Sequence, residues 1–346
     1  MSKFKKTFTL KQHTPMIHFQ SDQSGATLRA TELKPKFDRF LLEQVEDIPF
    51  KKNANGHKSL DYKVKIINKQ NSISTPKAYV NSRKERDKTA YQAPYFADAH
   101  KSILARDNIE IEFFSFNSQI RDAISKYIDS FLIYENFGTR QNKGFGSFLR
   151  ADIKDNEIKK ILSDHQNPVF LLDKYSDYKD AFKKIDTFYK KLKMGINRPY
   201  QKSLLFKYIC STYNIGWEKK FIKNNFPEVI HGDHQPIVCQ NDQEFRYIRA
   251  VLGLAEHNEF RPSGRKKQVR IKSKNNIERF KSPITFKVFN KKIYLLFDNS
   301  YEKILNKEFD FSLNGTTKSI KTPNKFDLYK FLKFVETNEN LISEVR

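Results

Sequence analysis

The sequence predicts an α+β fold, and three observations lead to that prediction. Residues 5–10 and 109–116 alternate polar and apolar side chains, as strands with one solvated face do. Residues 118–134 carry apolar side chains at helical spacing, which predicts an amphipathic helix. Strand patterns return from residue 268, after a helical middle region. This order favours α+β over a purely parallel α/β fold.

The N-terminal elements follow from local patterns. We expect the first strand to be extended by residues 14–19. A helix is predicted to begin at Lys34 and Pro35, because proline is accepted in the first helical turn. Residues 51–105 are polar and basic, which predicts strands with an exposed loop. Ser118 is predicted to cap the long helix at 118–134.

The remaining elements follow the same rules. A buried strand is predicted at 169–172, and later strands at 268–272, 284–288 and 293–297. Helices are predicted at 178–192, 204–213, 218–224, 245–256 and 328–335. The pattern contains no fixed-period repeat.

The charge of the chain points to a polyanionic partner. The 346 residues carry a formal net charge of +24, with a pI near 9.7. Part of the lysine excess fits the residue usage of an AT-rich genome, whereas arginine beside glycine and aromatic residues does not. Two distant cysteines, Cys210 and Cys239, support neither a disulfide framework nor a cysteine zinc site. No apolar segment suits a signal peptide or a membrane span, so a cytoplasmic protein is expected.

Residues 136–148 read NFGTRQNKGFGSF and follow the long helix directly. Glycine permits a close backbone approach, while exposed N–H groups and cations can hold phosphate oxygens. The segment lacks the Gly-Lys-Ser/Thr ending of a Walker A loop and does not follow a strand. It is therefore interpreted either as an RNA backbone contact or as a helix-ending turn, and both interpretations can hold.

This segment resembles the glycine-rich loop of the RAMP superfamily of CRISPR proteins, in the Gly-x-Arg-x-x-x-Gly-Phe-Gly-Ser form of the first-numbered subunit of the Cmr complex. Residues 9–41 resemble that family's opening strand and its Arg-x-x-x-x-Lys helix entry, here Arg29 and Lys34. Residues 278–286, ERFKSPITF, resemble its Arg-x-x-Ser-Pro strand. The three matches occur in family order.

The resemblance implies two ferredoxin-like, RRM-related domains, at 1–200 with the glycine-rich loop and at 201–346 with the helical segment. It implies a non-catalytic subunit of a type III CRISPR ribonucleoprotein that holds guide RNA and complementary target RNA near the guide 3′ end. Other effector subunits are the expected protein partners, and no cofactor is expected. The RNA-binding residues predicted from charge and from the resemblance are Arg29, Lys34, Gly138, Arg140, Lys143, Gly144, Phe145, Gly146, Arg265, Lys266, Lys267, Arg270 and Arg279.

Other functions remain open at this point. RNA-cleaving relatives use a histidine as general acid or base, so His13 or His18 would serve a metal-independent endoribonuclease that processes CRISPR transcripts. A general RNA- or DNA-binding protein would also fit the charge. Residues 231–239, HGDHQPIVC, contain metal-ligand types in no closed zinc spacing. The charged run at 81–88 is either a loop that contacts RNA or a solvated insertion.

Overall fold

The computed structural model describes residues 3–17, 27–68, 72–74, 102–197, 199–229, 244–260, 267–277 and 279–345. These residues form a mixed α+β structure with several small sheets, most of them antiparallel. The α-helices are Ala30–Gln44 (α1), Ser118–Tyr134 (α2), Asp155–Ser163 (α3), Tyr178–Lys193 (α4), Leu204–Tyr213 (α5), Glu218–Asn225 (α6) and Leu328–Glu339 (α7). Short 3-10 helices are Pro227–Val229, Ile248–Leu252 and Asn299–Ile304.

The strands are short, in keeping with the small sheets. They are Lys5–Gln12 (β1), Met16–Ile17 (β2), Phe50–Lys52 (β3), Lys58–Leu60 (β4), Lys63–Ile67 (β5), Ile73–Ser74 (β6), Ser102–Ala105 (β7), Ile109–Phe114 (β8), Phe148–Arg150 (β9), Phe170–Lys174 (β10), Ile196–Asn197 (β11), Tyr200–Gln201 (β12), Gly216–Trp217 (β13), Phe245–Arg246 (β14), His257–Phe260 (β15), Lys267–Ser273 (β16), Ile284–Phe289 (β17), Lys292–Phe297 (β18), Glu308–Leu313 (β19), Thr316–Lys321 (β20) and Ser343–Glu344 (β21).

The chain divides into two compact units. The first comprises Met1–Asp186, Thr285–Leu296 and Glu344–Arg346, and the second comprises Thr187–Ile284 and Phe297–Ser343. Residues 285–296 join the first unit because β18 pairs with β10, with Phe170 opposite Leu295. The predicted sequence boundary at residue 200 stays a prediction.

The main sheet of the first unit has the strand order β5-β8-β1-β9, and all of its neighbouring strands are antiparallel. Along the chain its elements follow the order β1-α1-β5-β8-α2-β9. One face carries apolar side chains such as Leu10, Ile111 and Phe113, which are buried in a core with α1 and α2. The helix α2 supplies Ile124 and Ile128 to this core, as the predicted spacing requires.

The second unit contains the antiparallel sheet β15-β16-β19-β20. Its buried side chains include Val269 on β16 and Phe309 on β19. The helices α5 and α7 also belong to this unit, where Tyr208 lies 5.4 Å from Phe331 between ring centroids. The predicted helices at 204–213 and 328–335 are confirmed.

Two helix starts differ from the sequence prediction. The helix α1 begins at Ala30, where the carbonyl of Arg29 accepts the backbone N–H of Leu33 at 3.0 Å. Pro35 therefore lies inside α1, where its missing N–H removes one backbone hydrogen bond. Asn117 caps α2, since its Oδ1 accepts the N–H of Ile120 at 3.1 Å, and Ser118 is already helical.

The helix predicted at 245–256 is wrong. Residues Phe245–Arg246 pair with β13 in parallel, and Ile248–Leu252 form a 3-10 helix that ends at Gly253, whose φ is 106°. All five residues of this 3-10 helix are buried. Because every side of the turn is covered, its apolar composition carries no periodicity that would distinguish it from a helix.

Two further observations concern a membrane span and a metal site. No helix within the described part of the chain is long and apolar enough to span a membrane. The described ranges contain no cluster of three or more histidine, cysteine, aspartate or glutamate side chains that could hold a metal ion. The candidate metal segment 231–239 lies outside those ranges.

Candidate nucleic-acid interface

The glycine-rich loop begins at Gly138, which lies against β2 and α1. Its φ is +82°, and an added Cβ would lie 2.4 Å from the carbonyl oxygen of Ile17. The N–H of Gly138 donates to Oε1 of Glu32 at 2.7 Å, and the N–H of Thr139 donates to the Ile17 carbonyl at 2.8 Å. Glycine is therefore required here by a close backbone approach within the protein.

Gly144 and Gly146 close the loop against the first unit. At Gly146, with φ of +67°, an added Cβ would lie 1.9 Å from the carbonyl oxygen of Phe137. Its N–H donates to the Pro15 carbonyl at 2.9 Å, and its own carbonyl accepts the Phe137 N–H at 3.0 Å. At Gly144 an added Cβ would meet the Val288 side chain at 2.9 Å. Both glycines are buried, so their evident role is close packing.

Phe145 was predicted to contact RNA, but its side chain is fully buried. Its ring stacks on Phe182 of α4, with centroids 4.0 Å apart and an angle of 15° between the planes. The ring consequently has no exposed surface on which a base could stack in this structure. The structure therefore does not support the predicted RNA contact of the Phe145 ring, because a helix far along the chain supplies an apolar partner that covers it.

Arg140 and Lys143 are the cations of the loop, and both are partly buried. Arg140 has a φ of +58°, in the left-handed region, and its carbonyl accepts the Lys143 N–H at 2.8 Å. Burial lowers the pKa of Arg140 to about 10. The guanidinium thus keeps its charge at neutral pH while it is partly desolvated.

A polar framework that the sequence did not predict holds the loop. Nζ of Lys36 donates to the Asn136 carbonyl at 2.6 Å and to Oε1 of Gln141 at 2.5 Å. Nδ2 of Asn136 donates to the carbonyls of Gln141 at 2.7 Å and Phe286 at 2.9 Å. Lys36 lies on α1 and Phe286 on β17, whereas Asn136 precedes the loop and Gln141 lies within it. The only sequence signal for this framework was the polar position between α2 and Gly138. These residues fix the backbone that carries Arg140.

Lys34 and Arg29, the two RNA-binding residues predicted at the start of α1, have different surroundings. Nζ of Lys34 donates to Oδ2 of Asp38 at 2.7 Å and to the Leu60 carbonyl at 2.9 Å, and it lies 4.1 Å from the Tyr62 ring centroid. Its charge is therefore compensated within the protein. Arg29 is the N-cap residue of α1 and is partly exposed. An RNA contact at either residue stays a prediction.

In the second unit the structure forms a groove of about 570 Å³ beside the end of β16. Its apolar lining includes Ile271, Ile277, Phe280 and Phe309. Three exposed cations line the same groove: Lys272, Arg279 and Lys281. We call this feature the basic groove.

The cations of the basic groove are available for a ligand. None of them forms an ion pair with a carboxylate of the described residues, whereas the neighbouring Lys274 is paired with Glu308 at 3.1 Å and Asp310 at 3.4 Å. Glu256 is the acidic residue of the lining. An apolar floor with an excess of positive charge suits a base or ribose together with its phosphate.

The basic groove contains Arg279, which the sequence predicted as an RNA-binding residue, and Lys272 and Lys281, which it did not. Lys281 could have been found from its position beside Arg279 in ERFKSP, and Lys272 from the alternation along β16. Arg270 lies on the exposed side of β16 opposite His257, and Lys267 opens that strand opposite Phe260. The predicted residues Arg265 and Lys266 lie outside the described ranges, as does the charged run at 81–88.

His13, the histidine weighed as a catalytic group, lies in the first unit. Its backbone N–H donates to the Ser147 carbonyl at 2.8 Å, and its ring centroid lies 6.3 Å from that of Phe289. Burial, followed by the charges of Lys11 and Lys287, lowers the pKa of His13 to about 3. The imidazole is therefore neutral at neutral pH. His18 lies outside the described residues.

The lowered pKa of His13 predicts a specific pH dependence of stability. Between about pH 3 and the unfolded value of 6.5 the unfolded chain binds the proton and the folded chain does not, so stability falls as pH falls through this window. The free energy of unfolding of the wild type falls between neutral pH and pH 4.5. We expect this fall to be smaller by roughly 1–2 kcal/mol in His13→Gln, as measured by urea unfolding. His57→Gln, at an exposed histidine, is the matched control. Equal slopes for His13→Gln and wild type would contradict the prediction.

Comparison with known families matches nearly the whole chain. Residues 3–196 match the model of the Cmr1 N-terminal domain, and residues 200–345 match that of the Cmr1 C-terminal domain. The two matches define a RAMP protein of the type III-B CRISPR systems. The chain belongs to the Cmr1 family, which implies association with other Cmr subunits. A search of curated proteins found no match.

Proposed function

We propose that this protein is a non-catalytic RNA-binding subunit of a cytoplasmic type III-B CRISPR ribonucleoprotein. In that role it holds guide RNA and complementary target RNA near the guide 3′ end, together with other Cmr subunits. The basic groove is the observation that carries the RNA-binding part, because three clustered cations without a described carboxylate partner surround an apolar floor. Base pairing supplies sequence specificity in guide-directed systems, so the protein needs mainly backbone contacts.

The fold supports the same proposal. The first unit's order β1-α1-β5-β8-α2-β9, with the antiparallel sheet order β5-β8-β1-β9, is that of a ferredoxin-like domain. We propose a ferredoxin-like, RRM-related fold for this unit and a related fold for the second. Domains of this class bind RNA in many proteins, but the assignment of function rests on the groove and the family.

RNA affinity of the purified chain tests the basic groove. Arg279→Ala together with Lys281→Ala is expected to weaken binding of single-stranded RNA about tenfold, because phosphate contacts are lost. The slope of log affinity against log salt should become shallower by about 0.7 for each contact removed. Binding is measured by fluorescence anisotropy over a range of salt concentrations.

A matched control uses Lys318→Ala with Lys325→Ala, two exposed lysines of the second unit that do not line the groove. This variant removes the same net charge, so it reports the effect of overall charge alone. Equal losses of affinity and equal salt slopes for both double variants would show that the groove is not an RNA site.

Purification from the native host tests the assembly itself. The tagged chain should recover a discrete short RNA and the other Cmr subunits. Recovery of the chain alone, free of RNA, would contradict the proposal. A general nucleic-acid-binding protein would instead recover heterogeneous RNA or DNA without those subunits.

The proposed absence of catalysis has a separate test. At neutral pH His13 is a neutral imidazole, which is a poor general acid and leaves only the general-base role for the endoribonuclease alternative. Incubation of the purified chain with CRISPR repeat RNA should leave the RNA intact. Cleavage that disappears in His13→Ala would establish the enzyme instead.

A further inference from the structure

An exposed aromatic cluster lies at one end of the main sheet of the first unit. Phe116 is 74% exposed and Phe4 is 36% exposed, which is unusual for rings of this size. The ring centroids of Phe4, Phe114 and Phe116 are 5.0 to 6.5 Å apart, and their planes meet at steep angles. We call these three residues the phenylalanine platform.

The register of the sheet places cations on both sides of the platform. Phe114 on β8 lies directly opposite Lys5 on β1 and directly opposite Lys63 on β5. Residues that are directly opposite in antiparallel strands share one face, so the row reads lysine, phenylalanine, lysine across the sheet. The face of β8 that carries Phe114 is opposite the face that carries Phe113, whose ring is buried in the core with residues of α1 and α2.

A third cation flanks the platform from α2. The guanidinium carbon of Arg121 lies 5.6 Å from the ring centroid of Phe4, and its Nη1 donates to the Ser115 carbonyl at 2.9 Å. Lys5 is paired with Glu112 at 3.0 Å, whereas Lys63 forms no ion pair with a described residue. Two of the three cations, Lys63 and Arg121, therefore have no ion-pair partner among the described residues.

We propose that the phenylalanine platform binds a single-stranded segment of RNA by base stacking, with Lys63 and Arg121 beside its phosphates. Aromatic rings stack bases without sequence preference, and flanking cations track the backbone. A duplex presents no free base face, so the platform selects unpaired nucleotides. A protein partner with an apolar surface would not need the cations that border the rings. This inference rests on the proposed RNA-binding function and names the form of RNA that the first unit takes.

Phe116→Ala is the direct test, because this side chain is the most exposed of the three and its removal leaves the core intact. The probe is fluorescein-labelled oligouridine, either single-stranded or annealed to oligoadenosine. We expect the variant to lose about five- to a hundredfold in affinity for the single strand. Its affinity for the duplex and the salt slope should be unchanged, since no cation is removed. Phe116→Trp should retain binding.

The matched control is Phe50→Ala, at another exposed phenylalanine that lies outside the platform with Lys58 4.6 Å from its ring centroid. Equal effects of Phe50→Ala and Phe116→Ala would overturn the inference. The inference would also be overturned if Phe116→Ala kept its affinity for single-stranded RNA while the Arg279/Lys281 variant lost affinity. That outcome would leave the proposed function intact. Failure of the wild-type chain to bind RNA would contradict both this inference and the proposed function. Loss of a Cmr subunit from pull-downs with unchanged RNA affinity would make the platform a protein-docking site.

Discussion

Gly146→Ala is expected to lower the free energy of unfolding by about 4 kcal/mol or more, or to prevent folding. Two causes add. A left-handed φ of +67° costs an alanine about 1–2 kcal/mol. In addition, the new Cβ would lie 1.9 Å from the carbonyl oxygen of Phe137, a residue whose backbone N–H donates to the Gly146 carbonyl. Relief of this overlap would displace the fully buried Phe137 ring.

Gly56→Ala is the matched control for this prediction. Gly56 has a similar φ of +77°, but an added Cβ there meets no atom within 4 Å. Its variant should lose only the conformational cost of about 1–2 kcal/mol. Urea unfolding of both variants separates the clash from the backbone conformation. Equal losses in the two variants would show that the loop does not need the close contact at Gly146.

Glu218→Gln should destabilise the protein by about 3–5 kcal/mol, because it leaves buried cations without their carboxylate. The side chain of Glu218 is fully buried and contacts Arg249, whose side chain is 6% exposed. Oε2 of Glu218 also accepts the N–H of Ile248 at 3.0 Å, and Nη2 of Arg249 donates to Oδ1 of Asn258 at 2.6 Å. Burial and Arg249 lower the pKa of Lys193 to about 7, while Glu218 opposes this shift.

The predicted loss of stability depends on the burial of the ion pair, so an exposed ion pair serves as the control. Asp61→Asn breaks the ion pair with Lys51, in which both side chains are more than 70% exposed, and should cost less than about 1 kcal/mol. Replacing both partners, with Glu218→Gln and Arg249→Met, should recover part of the loss. Urea unfolding measures all of these variants. A loss for Glu218→Gln no larger than for Asp61→Asn would show that Glu218 does not compensate the buried cations.

In the glycine-rich loop, the local sequence predicted the backbone conformation but not the surroundings of the side chains. Glycine recurrence after a strong helix predicted a turn with close backbone contacts, and the positive φ values of Gly138, Gly144 and Gly146 confirm it. Whether Phe145 faced solvent was not predictable, since its partner Phe182 is supplied by a separate helix. RNA contact by Arg140 and Lys143 remains a prediction.

The same contrast appears in the strands. The alternation of residues 109–114 correctly predicted a half-buried strand, but it did not predict that Phe116, which follows the strand, is exposed. The strands β1 and β5 pair with β8 on its two sides and place Lys5 and Lys63 opposite Phe114. No local pattern reports which neighbours a strand will have.

The sequence alone determined the α+β class, the excess positive charge, the long helices and the resemblance that the family matches confirmed. These properties depend on composition and on side-chain spacing within one segment. Only the tertiary structure decided that Lys34 also donates to the Leu60 carbonyl, that Lys272, Arg279 and Lys281 share a groove, and that Phe116 is exposed. Pairing and exposure are set by distant segments that fold against a residue, so spacing along the chain could not predict them.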